Sequence, residues 1–142
     1  MEPIIKEVSI KAPIATVWDA ITNKDQMKEW YFDIADFKPE PGHAFDFMAE
    51  CDGEEYLHIC RVREVMPMKK ISYTWRYEQT KGDSLVTFEL FEEGDTTRVK
   101  LTHEGVELFA DHGKDFGREC FDAGWTDFIQ RALKEYAEKA TV

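Results

Sequence analysis

The feature that most limits what this chain can fold into is its C-terminal amphipathic stretch, Phe116 to Ala140, which follows six strand-like segments. Phe121, Trp125, Phe128, Ile129, Ala132, Leu133 and Tyr136 recur at the spacing of one helical face. Asp122, Asp127, Gln130, Arg131, Lys134, Glu135 and Glu138 fall mostly on the other side. A helix of roughly 20 to 25 residues is about 30 to 37 Å long at 1.5 Å per residue. It must therefore cross several strands at once. A long aromatic helix laid on a curved sheet leaves room between the two layers, and that space or its rim is where function is expected.

The strands are read from alternation. Ile4, Val8 and Ile10 share one face of the first segment, a face that Lys6 interrupts. Pro13 suits the first turn of a helix, and Ile14, Val17, Trp18 and Ile21 give it one buried stripe. Thr22-Asn23 closes that helix and is placed to cap a second one, Lys24 to Trp30. After Pro39-Glu40-Pro41-Gly42 the pattern becomes a meander, with turns expected at Asp52-Gly53, Pro67 to Lys70, Lys81 to Ser84 and Glu93 to Asp95. Ile71, Tyr73, Trp75 and Tyr77 alternate with Ser72, Thr74, Arg76 and Glu78, the cleanest strand of the chain. Short hairpin connections require antiparallel pairing. The class is α+β: a curved six-stranded antiparallel sheet on a long C-terminal helix, with two short helices after strand 1, in one domain spanning residues 1–142.

Charge narrows the partners. Twenty-nine acidic residues against 18 basic give a formal net charge of -11, which repels phosphate backbones and anionic lipid. Nucleic acid is therefore not expected as a partner. No apolar run approaches the ~20 residues of a membrane span. The three cysteines, Cys51, Cys60 and Cys120, form no CxxC pair, and no secretory signal is visible, so a reduced, cytoplasmic protein is expected.

Catalytic motifs are sparse. There is no GxSxG and no glycine-rich phosphate loop. The loop "ADHGKD" brings His112 beside Asp111 and before Asp115, which reads as a solvated connection with Asp115 as a helix cap. His58 and Cys60, two apart on a strand, share a face, and His103 faces inward with Val99 and Leu101. Three such ligands with no fourth make a weak zinc site, so neither metal nor any other cofactor is expected. His58 and His103 are better read as polar groups in an apolar interior. There they either orient a ligand oxygen or are satisfied by neighbouring protein atoms.

The aromatic residues are the stronger signal. The candidate ligand-binding residues are Trp30, Phe47, Tyr56, His58, Tyr73, Trp75, Phe88, His103, Phe121 and Trp125, with Phe45 and Phe128 also facing inward. Their volume can fill the interlayer space completely, or leave a pocket. Gly124, before Trp125, costs about 1 kcal/mol relative to alanine in mid-helix. Close approach of a ligand, or of the sheet, would account for it.

The runs "IKAPIATVWDAITNKDQMKEWY", "PGHAFDF", "VREVMPMKKISYTW", "VTFEL", "TRVKLTH" and "FDAGWTDFIQRALKEY" resemble the START-like superfamily, whose helix-grip fold is shared with the birch-pollen allergens. Within it the chain is most similar to the branch named after the activator of heat-shock protein 90 ATPase. The resemblance covers nearly the whole chain. It implies a cavity between sheet and helix that can take a small apolar or amphipathic molecule, and non-catalytic binding of such a molecule is the preferred expectation. It also implies, as an alternative, a chaperone partner. Eukaryotic co-chaperones of that name carry a further N-terminal domain, whereas this chain opens on the first START-like strand, which ranks the chaperone role second. An enzyme of the cyclase or hydratase type, using interior histidines and tyrosines, is the third class.

Overall fold

In a computed structural model, residues 3–32, 34, 37–51, 54–77, 84–106 and 118–141 are described. The expected turns at Asp52-Gly53 and Lys81 to Asp83, the loop holding Asp111, His112 and Asp115, and the helix start at Phe116 lie outside them. So do the side chains of Cys51 and Cys120.

Six strands, β1 (Ile4–Ile10), β2 (Ala44–Cys51), β3 (Glu54–Met66), β4 (Lys70–Tyr77), β5 (Ser84–Glu93) and β6 (Thr96–Glu104), form one sheet in the order β1-β6-β5-β4-β3-β2. Every neighbouring pair is antiparallel. The hairpin succession gives this order directly from β2 to β6, and β1 then closes on β6. A register shift between Val62 and Glu64 marks a bulge in β3. Before it, His58, Cys60 and Val62 point inward; after it, Val65 does, because the extra residue reverses the alternation.

Helix α1 (Ile14–Thr22) starts after Pro13, and α2 (Lys24–Trp30) is capped by Asn23, whose side chain accepts from the backbone N–H groups of Asp25 (2.9 Å) and Gln26 (3.3 Å). The C-terminal stretch is helical from Arg118 through Thr141 but not uniformly. Helices α3 (Arg118–Asp127) and α4 (Lys134–Thr141) are joined by a π-helical segment, Phe128–Leu133.

The π segment has a physical reason in the buried stripe. Phe121, Trp125, Ile129, Leu133 and Ala137 are all buried, and each is four residues from the next. Four residues turn an α-helix by about 400°, so such a stripe drifts about 40° per step away from the sheet. The wider π turn takes up that drift and keeps Ile129 and Leu133 facing inward.

Lys6, which interrupts the apolar face of β1, is explained from the helix side: its ammonium donates to Asp122 Oδ1 at 2.9 Å. At the other end of the helix, Glu138 accepts the backbone N–H of Lys11 at 2.9 Å, and the Tyr136 hydroxyl donates to Gln26 at 3.2 Å. Together these contacts fasten the long helix to β1 and α2.

Candidate functional site

The interior between sheet and helix is a continuous aromatic layer. On the sheet side, Tyr73, Trp75 and Tyr77 come from β4, Phe88 from β5, His103 from β6, Phe47 from β2 and His58 from β3. On the helix side, Phe121, Trp125 and Phe128 meet them. Trp75 and Trp125 belong to opposite walls, and their ring centroids are only 5.7 Å apart, so the two layers are in contact there. Phe88 and Phe121 meet Trp125 and His103 edge-on at 6.2 and 5.3 Å.

Eight of the candidate residues, Phe47, His58, Tyr73, Trp75, Phe88, His103, Phe121 and Trp125, are thus joined in this layer. Tyr56 sits at its edge, partly exposed and 6.2 Å from the Tyr77 ring. Trp30 lies to one side, stacked on Tyr31 at 4.9 Å, with its indole N–H donated to the Ala20 carbonyl of α1 at 2.8 Å.

Three site-lining residues lie outside the expected set. Tyr31 and Phe32 follow α2 directly and reach into the layer: Tyr31 stacks near Trp125 at 6.0 Å, and Phe32 stacks on Phe47 at 4.7 Å and meets Phe128 at 5.0 Å. Tyr77 accepts the indole N–H of Trp75 at 3.0 Å. The three consecutive aromatics Trp30-Tyr31-Phe32 are the sequence signal that points to the first two.

The histidines are in different situations. The indole N–H of Trp125 can only donate, so His103 Nδ1 accepts it at 3.0 Å. The neutral ring then carries its proton on Nε2 and donates to Ser84 Oγ at 2.7 Å, and Ser84 donates to the Trp75 carbonyl at 2.7 Å. Both nitrogens of His103 are therefore spent on protein partners. Burial lowers its pKa to about 3, which keeps it neutral. His58 lies flat on Phe47 at 4.6 Å and donates from Nδ1 to the Tyr56 carbonyl at 2.9 Å. Burial lowers its pKa to about 4, against the opposing effect of backbone hydrogen bonds. Neither ring is bonded to a carboxylate among the described residues. No cluster of three His, Cys, Asp or Glu side chains among them is arranged to hold a metal ion.

A further polar feature of the interior is a pair of phenols. The hydroxyls of Tyr31 and Tyr73 are 2.7 Å apart in the core. Burial raises the pKa of both, so both are protonated at neutral pH.

This arrangement, a six-stranded antiparallel sheet closed by a C-terminal helix over an aromatic interior, can be set beside known proteins. A family model, described as Activator of Hsp90 ATPase homolog 1-like protein, matches residues 11–138. The chain belongs to that family. No curated protein matches it. Among solved structures it is similar to protein MLL2253 from Mesorhizobium loti, at 26% identity and a TM-score of 0.78 over 99% of both chains. It is also similar to protein BH1534 from Bacillus halodurans, at 28% identity and a TM-score of 0.72, over 100% of this chain and 98% of that one. The Aha1 dimer from Colwellia psychrerythraea shares the fold, at 23% identity and a TM-score of 0.71 over 97% of each chain. The START-like helix-grip expectation and its activator-like branch hold. No described helix of this family member is long and apolar enough to cross a membrane.

Proposed function

We propose that this activator-like domain binds a small apolar or amphipathic molecule between its sheet and its long helix, without catalysis. One observation carries the reading. The interior aromatic layer is continuous with partly exposed rings, Phe32, Tyr56 and Phe128, that pack against the core. A ligand entering there meets mostly apolar rings, the Tyr56 hydroxyl being the one polar side-chain group of the three, and each square ångström of apolar surface it buries contributes about 25 cal/mol before ordering costs. Because Trp75 and Trp125 already touch, a ligand has to part rings or replace one, and Phe32 is the partly exposed ring nearest to Phe47. The test is titration with Nile red, a neutral environment-sensitive dye, while following tryptophan fluorescence. Saturable micromolar binding to the folded chain is expected. No saturation up to the solubility limit of the dye would defeat the reading.

A second reading is an interaction module for a chaperone ATPase, as the family's description suggests. A specific surface favours it. Met68 sits in the β3–β4 turn at φ 66, a left-handed conformation that costs a non-glycine residue roughly 1 to 2 kcal/mol. The residue is nonetheless 38% exposed and, with Met66, Ile14, Leu90 and Phe91, lines an open concavity of about 580 Å³. If the chain raises the ATPase rate of an Hsp90-type chaperone and Met66→Ser/Met68→Ser removes that effect, this reading takes first place.

A further inference from the structure

Two phenols face each other in the middle of the core, and among the described residues their hydrogens do not balance. Tyr73 is 2% exposed and Tyr31 is 9% exposed. Their hydroxyls are 2.7 Å apart, so one donates to the other. That bond uses one hydrogen. The second hydroxyl still carries its own, because burial holds both groups in the protonated form. Neither hydroxyl has a further hydrogen-bond partner among the described residues. A buried donor without an acceptor costs about 1 to 3 kcal/mol, and such groups are rare in folded proteins unless something else completes them.

The surroundings define what could complete it. Tyr73 is flanked by Phe88 at 6.3 Å, Phe45 at 5.4 Å and Trp75 at 6.5 Å, with the first and last rings stacked. Tyr31 reaches the same place from the end of α2, between Trp30, Phe128 and Trp125. The walls are therefore flat and mostly apolar, with the buried Cys60 thiol close enough to act on both hydroxyls. No described lysine or arginine is fully buried, the partly buried Lys6 is paired with Asp122, and both interior histidines are held neutral by burial. An anionic group brought here would have no cation to meet, and burying an unpaired carboxylate is prohibitively costly. A neutral oxygen would meet a waiting donor.

We propose that the Tyr31–Tyr73 hydroxyl pair is the polar anchor of the binding site, and that the ligand is a flat apolar molecule presenting a neutral acceptor oxygen, such as a ketone, quinone or lactone carbonyl, rather than a carboxylate. The proposal rests on the ligand-binding reading above and narrows it. One phenol donates to the other and the second donates to the ligand, so the pair acts as a short relay with a single free end. Removing one hydroxyl leaves one donor in place. Removing both leaves none, and because donor and acceptor go together that change is close to neutral for folding.

The experiment compares three probes of one shape: fluorene, 9-fluorenone and fluorene-2-carboxylate. Affinities are read by tryptophan fluorescence, and the carbonyl stretch of bound 9-fluorenone is read by infrared spectroscopy. The native chain should bind 9-fluorenone about tenfold more tightly than fluorene, the ratio one well-made hydrogen bond provides, and should bind the carboxylate most weakly. The bound carbonyl stretch should shift to lower frequency. Tyr31→Phe/Tyr73→Phe should erase the preference and the shift while still binding fluorene, and circular dichroism should show it folded. Equal binding of fluorene and 9-fluorenone by the native chain, unchanged in the double variant, would overturn the anchor and leave the ligand-binding reading standing. Tightest binding of the carboxylate would overturn the neutral-acceptor assignment. Failure of all three probes to bind would overturn the ligand-binding reading itself, and the anchor with it.

Discussion

Trp125 of the long helix donates its indole N–H to His103 Nδ1 of β6 at 3.0 Å, the hydrogen bond that ties the helix to the sheet inside the aromatic layer. It fixes the tautomer of His103 and, through Ser84, ends on the backbone of β4. A buried network with its partners in place holds one packing of the helix against the others.

Trp125→Ala should destabilise the fold by about 3 to 5 kcal/mol, since it removes a fully packed indole and leaves the His103 acceptor unpaired. Trp125→Phe keeps most of the ring volume and should cost about 1 to 3 kcal/mol. Urea unfolding measures both. A loss under about 1 kcal/mol for the alanine variant would mean that this face of the helix does not pack on the sheet.

Stability should fall with acidification in a window set by the histidines. Their folded pKa values, about 3 for His103 and about 4 for His58, lie below the ordinary 6.5. The unfolded chain therefore binds protons first, so the stabilisation is complete above pH 6.5 and is lost as the pH falls toward 4 and then 3. Each histidine should withdraw about 1 to 2 kcal/mol between pH 7 and pH 5. Urea midpoints across that range should decline, and His58→Phe should flatten the decline by its own share. A flat profile in the native chain would show that neither ring is held neutral.

Gly124 should accept a side chain. A Cβ built there meets no atom within 4 Å, so close approach of the sheet is not what requires glycine at this position. Gly124→Ala should raise stability by about 0.5 to 1 kcal/mol through helix propensity. If thermal unfolding moves down instead, the helix backbone there is not in the conformation described.

Lys6 and Asp122 should respond asymmetrically. The Lys6 side chain is 17% exposed and that of Asp122 48%. Asp122→Ala strands a mostly buried ammonium and should cost on the order of 1 kcal/mol, whereas Lys6→Met should be close to neutral because the stem already packs on apolar surface. Equal losses in chemical denaturation would show that the pair is an ordinary surface contact.

Some of this was written in the residue pattern. Alternation in Ile71 to Tyr77 specified a strand and its buried face, the spacing from Phe121 onward specified a helix, and Asn23 specified a cap. These are local: period and capping depend on neighbours in the chain. The candidate site was legible only in outline. Inward-facing rings could be named from alternation, but Tyr31 and Phe32 follow the end of α2, where no period says which way a side chain points.

The sequence by itself determined the class of fold, the order of its elements and the aromatic character of the interior, because hydrophobic period and turn chemistry are carried by short segments. Only the tertiary structure decided that Lys6 answers Asp122, that Trp125 meets His103, and that Tyr31 meets Tyr73 across 42 residues of chain. It also decided that a strictly four-residue stripe bends the helix into a π turn at Phe128–Leu133. Each of these is a match between surfaces distant in sequence. Such matches arise from the three-dimensional approach of two elements, and no local pattern encodes the distance at which two layers come to rest.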